Sequence, residues 1–162
     1  MSRRYYLAAA GIMVLVFFLL RKEKAEKRIA ASLLAAYLFL VLGSTVFRRS
    51  TRTRMLYRPE LFWTYRVIAQ NGIRKSGYMI SQVILNILLL SPIGFLMPVF
   101  VKKKRWVILV FGFLFSLLIE TLQLVLRRGY FEADDLFHNT LGVAIACGLV
   151  EMWERLWKRL NI

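Results

Sequence analysis

The chain contains the stretch Glu120-Thr-Leu-Gln-Leu-Val-Leu-Arg-Arg-Gly-Tyr-Phe-Glu-Ala-Asp-Asp-Leu-Phe-His-Asn-Thr-Leu-Gly142, in which polar and charged residues cluster. Apolar runs adjoin this cluster on both sides, Trp106–Ile119 before it and Leu136–Trp153 after it. Both runs are typical of membrane spans. At ~1.5 Å of helix rise per residue, Glu120 would therefore lie roughly 10 Å below the membrane surface. An ionisable side chain at that depth is costly unless it is paired or hydrated, so it marks a functional site by default.

The composition indicates a membrane protein. The 162 residues are 59% hydrophobic, and the charged residues occur in clusters between apolar runs. A net charge of +15 would suggest nucleic acid as the partner of a soluble domain. Here the basic clusters flank apolar runs and suit anionic lipid head groups, and no nucleic-acid-binding module is visible. We therefore expect membrane lipids and no nucleic acid among the partners.

The hydrophobic pattern predicts an all-α fold, a polytopic membrane bundle of about five transmembrane helices in one domain. The first apolar run has no convincing cleavage site for a signal peptide, so we interpret it as a retained span. The five predicted spans are residues 5–20, 29–47, 78–101, 106–126 and 136–153.

A short helix over residues 60–70 is predicted to lie in the membrane interface. Pro59 suits a helix N-terminus, Leu61, Tyr65 and Ile68 recur with helical spacing, and Asn71-Gly72 is a stop signal. The alternative is a plain solvated basic loop.

The third span carries Pro92, Gly94 and Pro98 within seven residues. This spacing predicts that the second half of the span is kinked or broken.

The topology of five spans places the N-terminus, the loop 48–77 and the loop 127–135 on one side of the membrane. The numbers of Lys and Arg residues on the two sides are equal, so the positive-inside rule does not decide the orientation. The short, dense clusters Arg21–Arg28 and Lys102–Arg105 favour the cytoplasm, so we expect the N-terminus outside and the C-terminus inside.

The polar residues of the spans and loops are predicted to meet in a cleft that binds a polar head group. Glu120 with Gln123, and Asp135 with Asn139, each share one helix face. Glu120 needs a cation or a shared proton, and Arg128 or Arg48 are its expected partners. The alternative is a hydrogen-bond network that only holds the bundle together. Predicted ligand-binding residues are Arg48, Arg66, Asn86, Glu120, Gln123, Arg128, Glu132, Asp134, Asp135 and Asn139.

Catalysis, if present, would use Glu120 or Asp135. No metal or cofactor is expected. His138 is the only histidine and Cys147 the only cysteine, and zinc usually takes several such ligands. No Ser-His-Asp order, phosphate loop or CxxC pattern is present.

Three segments in order resemble the VanZ-like family. Asn86-Ile-Leu-Leu-Leu-Ser-Pro-Ile-Gly94 is similar to its Asn-x-Leu-Leu-Phe-x-Pro-x-Gly segment, although Ser91 replaces an apolar residue. Glu120-Thr-Leu-Gln123 resembles its Glu-x-x-Gln, and Arg128 to Gly142 resembles its Arg…Asp-Asp-x-x-x-Asn-Thr-x-Gly. The resemblance gives no role to His138.

The resemblance implies a single VanZ-like domain over residues 1–162 in a bacterial plasma membrane, and a link to resistance against the glycopeptide teicoplanin. Three functions stay open. In the first, the protein is a binder that lowers glycopeptide action through an outward-facing cleft for the drug or for a lipid-linked cell-wall precursor. Alternatively, it is a membrane-embedded enzyme on such a substrate, or a small transporter subunit.

Overall fold

The computed structural model describes residues 3–101 and 104–160, so Lys102 and Lys103 of the predicted basic loop lie outside the described residues. The all-α prediction is confirmed. The described chain forms six α-helices: α1 (Arg3–Leu19), α2 (Ala25–Leu42), α3 (Trp63–Asn71), α4 (Gly77–Leu96), α5 (Arg105–Val125) and α6 (Ala133–Leu160). A π-helical turn, Gly43–Phe47, extends α2, and 3-10 turns occupy Ile73–Lys75 and Met97–Val99.

Four helical segments of the described residues are long and apolar enough to cross a membrane: Ala25–Phe47, Gly77–Val99, Arg105–Val125 and Ala133–Leu160. They correspond to the second to fifth predicted spans. The first predicted span forms α1, but its 17 residues fall short of the ~20 that a crossing usually needs. Helices α1 and α2 form an antiparallel hairpin, in which Arg28 Nε donates to the carbonyl of Phe17 at 3.2 Å.

Helix α6 packs closely against α4 because small residues line the contact. A Cβ on Gly142 would lie 1.8 Å from the carbonyl oxygen of Ile87. A Cβ on Gly94 would lie 2.5 Å from the carbonyl oxygen of Val143. Buried apolar residues of α2, α4, α5 and α6 form one core, Val41, Val46, Leu90, Ile93, Ile108, Ile119, Val143 and Cys147. The start of α6 therefore has a fixed position relative to the other helices.

The predicted break in the second half of the third span occurs at Met97–Val99 and not at Pro92. Helix α4 continues through Pro92 to Leu96, and the backbone changes to a 3-10 turn only at Met97–Val99, which contains Pro98. Proline cannot donate to the carbonyl four residues earlier, here that of Leu88. Ser91 Oγ donates to this carbonyl at 2.9 Å and so replaces the missing bond.

A two-stranded parallel ladder ties the two loops at one end of the bundle together. β1 (Leu56–Arg58) pairs with β2 (Tyr130–Glu132), with Arg58 opposite Glu132. Sequence patterns miss strands of three residues, since such strands are too short to show alternation. The ladder lies where α2 and α5 end and α4 and α6 begin.

The predicted short helix is present as α3, although it starts three residues later than the predicted 60–70. Phe62 precedes it with a φ of 63°, outside the helical region. The position of α3 in a membrane interface stays a prediction.

Candidate functional site

A cleft of about 660 Å³ opens beside the ladder, between α3, α4, the start of α6 and the loop after α2. Two carboxylic acids, Glu132 and Asp135, face it. Four arginines outnumber them, Arg49, Arg52, Arg58 and Arg128. Because cations exceed carboxylates in its wall, the cleft suits an anionic ligand. Its other lining residues include Trp63, Thr64, Tyr78, Gln82, Tyr130 and His138.

Arg58 is held in place from two sides. Its Nη1 lies 3.3 Å from Glu132 Oε1, its partner across the β ladder. Its guanidinium carbon lies 3.7 Å from the centre of the Trp63 ring. Burial raises the pKa of Glu132 above its ordinary value, while the positive charge of Arg58 acts in the opposite direction. A guanidinium fixed in this way presents its remaining donors to a ligand with little loss of side-chain entropy.

The other three arginines reach the cleft from two loops. Arg128 Nη1 donates to the carbonyl of Phe47 at 2.7 Å, where the π-helical turn after α2 ends. The Arg52 guanidinium lies 4.7 Å from the centre of the Tyr130 ring. Within residues 3–101 and 104–160, neither Arg49 nor Arg52 has a carboxylate oxygen within 4.0 Å. Their charges are thus available to a bound anion.

Consecutive aspartates at the start of α6 connect it to two different helices. Asp134, fully buried, accepts hydrogen bonds from the backbone N–H of Phe62 and, at 2.9 Å, of Thr64. It thereby caps the N-terminus of α3 and does not line the cleft. Asp135 Oδ1 accepts from Asn86 Nδ2 of α4 at 2.5 Å, and Asp135 does line the cleft.

Glu120 is not paired with a cation, so the expectation of Arg128 or Arg48 as its partner is wrong. No arginine or lysine nitrogen of the described chain lies within 4.0 Å of its carboxylate. Instead Glu120 Oε2 accepts the backbone N–H of Glu132 at 2.9 Å. Strand β2 folds back over the end of α5 and brings this neutral donor within reach. Glu120 is 2% exposed and lies behind the strand, outside the cleft wall.

The other predicted site residues lie outside the cleft wall. Gln123 Nε2 donates to the carbonyl of Thr45 at 3.2 Å, and Asn139 Nδ2 donates to Ser116 Oγ at 2.9 Å, both between helices. Arg66 is exposed and pairs with Glu60 at 3.5 Å. Arg48 is exposed, and its neighbour Arg49 lines the cleft instead.

Sequence reasoning left several cleft residues out of the site. Arg49, Arg52 and Arg58 belong to a loop that is recognisably basic, but only the β ladder shows which of its arginines turn inward. Trp63 and His138 also line the cleft and were not among the predicted ligand-binding residues. Among the described residues, no group of three or more His, Cys, Asp or Glu side chains is arranged to hold a metal ion.

Two buried nitrogens of the cleft residues have no hydrogen-bond partner among the described residues. They are Trp63 Nε1 and His138 Nδ1. The other ring nitrogen, His138 Nε2, lies 2.8 Å from the hydroxyl of Tyr65. His138 itself is 1% exposed. Buried polar atoms are almost always paired in proteins, so these two are unusual.

The four apolar helices and the polar cleft at one end define a multi-pass helical membrane protein. The family model VanZ/LLP1 matches residues 6–154. This match covers most of the chain, so the protein belongs to the VanZ/LLP1 family, as its motifs indicated. No curated protein and no solved structure gives a significant match to the chain.

Proposed function

We propose that this protein binds the phosphate-bearing head group of a lipid-linked cell-wall precursor in the arginine-lined cleft, and thereby lowers susceptibility to teicoplanin-class glycopeptides. The observation that carries the proposal is the fixed guanidinium of Arg58, held by Glu132 and Trp63, with three more arginines around the same space. Arginine forks match phosphate oxygens and are favoured wherever phosphate is recognised.

The proposed membrane topology gives this cleft access to the outer leaflet of a bacterial plasma membrane. In this topology α1 also crosses the membrane, which gives five spans in all. The N-terminus is outside and the C-terminus is cytoplasmic. The antiparallel α1–α2 hairpin supports the placement of the N-terminus on the same side as the cleft, because it brings Tyr5 to a ring-centre distance of 6.2 Å from Phe39, near the cleft end of α2. A reporter fused to the C-terminus that is active on the outer side of the membrane would refute this orientation.

Susceptibility to teicoplanin in a Gram-positive host tests the function. The host expresses the wild type, Arg58→Gln or Arg54→Gln at matched membrane levels. Arg54 is the control, since it is exposed, lies in the same loop and is absent from the cleft wall. We expect protection by the wild type and by Arg54→Gln, and its loss in Arg58→Gln. Equal protection by all three proteins would show that the cleft is not the functional site.

A membrane-embedded enzyme on the same substrate class is the second candidate, and Asp135 is the observation that favours it. Its carboxylate faces the arginine-lined cleft and is held by Asn86, as an acid or base requires. Glu120, the other candidate, lies behind β2. Turnover of a lipid-linked substrate by the purified protein, abolished in Asp135→Asn, would establish the enzyme. If the substrate binds to the protein but is not converted, the enzyme hypothesis is excluded.

A further inference from the structure

We infer that Trp63 and His138 form a second subsite in the cleft, which takes a hydroxyl-rich group attached to the phosphate that the arginines hold. The ligand class is therefore a sugar or polyol phosphate ester. This inference rests on the proposed phosphate-binding function of the cleft, and it adds what stands on the other side of the phosphate.

The unpaired nitrogens carry the inference. Trp63 Nε1 and His138 Nδ1 are buried, belong to residues that line the same cleft, and have no partner in the described parts of the chain. A buried donor without a partner costs about 1–3 kcal/mol, and proteins retain such atoms where a ligand or water completes them. Two such atoms beside one cleft indicate a recognition surface.

The chemistry of the two nitrogens selects hydroxyl groups. The indole N–H of Trp63 only donates. Nδ1 of a neutral His138 donates or accepts, according to which way the hydrogen bond between Nε2 and Tyr65 runs. A hydroxyl group accepts from the indole and meets either form of the imidazole, whereas an ionised phosphate oxygen only accepts. A polyol therefore satisfies both nitrogens in either tautomer.

The position of Arg58 links the two subsites. Its guanidinium lies against the Trp63 ring, so a phosphate on Arg58 places its ester substituent next to the indole. Both nitrogens are buried in this structure, so binding requires the groups that cover them to shift. Arg58, as the cation nearest the ring, is the side chain that a phosphate draws toward itself.

Calorimetry on the full chain in nanodiscs of uncharged lipid tests the inference with two probes, inorganic phosphate and glucose 1-phosphate. The wild type is expected to bind glucose 1-phosphate about ten-fold more tightly, since one or two added hydrogen bonds supply that factor. Trp63→Phe keeps an aromatic ring beside Arg58 and removes the N–H, so it is expected to lose much of the preference for glucose 1-phosphate.

Two replacements of His138 separate a binding role from a structural one. The amide nitrogen of glutamine sits near the position of Nε2 and keeps the contact with Tyr65, whereas that of asparagine sits near Nδ1. We expect His138→Gln to lose the preference for glucose 1-phosphate and His138→Asn to keep part of it. The reverse order would assign the effect to the Tyr65 contact and overturn the subsite.

The remaining outcomes distinguish this inference from the function on which it rests. Equal affinity of the folded wild type for both probes would overturn the subsite and leave the phosphate site standing. Failure of both probes to bind would overturn the phosphate site and the subsite together. Phosphatidylinositol added to the nanodiscs presents the same chemistry on a lipid. If phosphatidylinositol competes with glucose 1-phosphate, the natural ligand of the cleft is a lipid head group. If it does not compete, the natural ligand is a soluble ester.

Discussion

The side chain of Glu120, near the end of α5, accepts the backbone N–H of Glu132 in β2 at 2.9 Å. The side chain of Glu132 points to the cleft and holds Arg58. A carboxylate on a membrane helix thus fixes the strand that positions the arginine of the proposed anion site. Glu120 therefore acts on the cleft through the backbone of its neighbour and does not itself face the ligand.

Replacement of Glu120 distinguishes this positioning role from catalysis. Glu120→Gln keeps an oxygen acceptor for the Glu132 N–H, so we expect the melting temperature and phosphate binding to stay close to those of the wild type. Glu120→Ala leaves that N–H unpaired and is expected to lower stability by about 1–3 kcal/mol. Thermal unfolding and calorimetry in detergent micelles measure both effects. Loss of all biological activity in a stable Glu120→Gln would instead point to proton transfer by Glu120.

Asp134 is expected to hold α3 on the bundle. Asp134→Ala removes the acceptor of the Phe62 and Thr64 N–H groups. We expect the free energy that holds α3 on the bundle to fall by about 1–2 kcal/mol, so that α3 detaches more often. Hydrogen exchange of the amides in Trp63–Asn71 measures the detachment. Glu60→Ala is the control, because Glu60 is exposed and pairs only with Arg66 in the described chain. Unchanged exchange in Asp134→Ala would contradict the capping role.

A methyl group at Gly142 should disrupt the contact between α4 and α6. Its Cβ would lie 1.8 Å from the carbonyl oxygen of Ile87, a backbone atom that moves only with its helix. We expect Gly142→Ala to destabilise the protein by about 1–3 kcal/mol or more. The matched control is Gly148→Ala on the same helix, where a Cβ meets nothing within 4 Å. Thermal melting of both variants in micelles compares them, and equal melting temperatures would argue against this helix contact.

The stability of the protein should fall with rising pH through the titration of Glu132. Burial raises its pKa above the ordinary value of 4.5, so the folded state holds the proton to a higher pH than the unfolded state. The folded state is thus favoured at low pH, and this advantage is lost as pH rises through the folded pKa. We expect the melting temperature of the wild type minus that of Glu132→Gln to decrease from pH 4 upwards. An increase of this difference would mean that the pairing with Arg58 outweighs burial.

Much of the fold was predictable because membrane helices depend on local composition. The apolar runs identified all four candidate spans, and the Pro59 and Asn71-Gly72 signals identified the short helix α3. The predicted break in the second half of the third span occurs at Met97–Val99, and Pro92 stays within α4 although it cannot donate to the carbonyl of Leu88. Ser91, one residue earlier, supplies a donor to the same carbonyl.

The proposed site was less predictable, since its parts come from distant places in the chain. Arg128, Glu132 and Asp135 are predicted site residues, and all three line the cleft. Glu120, Gln123, Asp134 and Asn139 have the polar character of ligand-binding residues, but in the structure they bond to backbone or to neighbouring helices. Polarity in an apolar setting shows that a side chain needs a partner, and it does not show which partner the fold supplies.

The sequence by itself determined the class of the protein, its helices and its family motifs, because hydrophobic length and helical periodicity are properties of short segments. Only the tertiary structure decided which arginines face the cleft and which carboxylates serve the backbone. A three-residue ladder brings Arg58 to Glu132 across more than seventy residues of chain. Such a contact depends on the packing of α4, α5 and α6, and no local pattern encodes it.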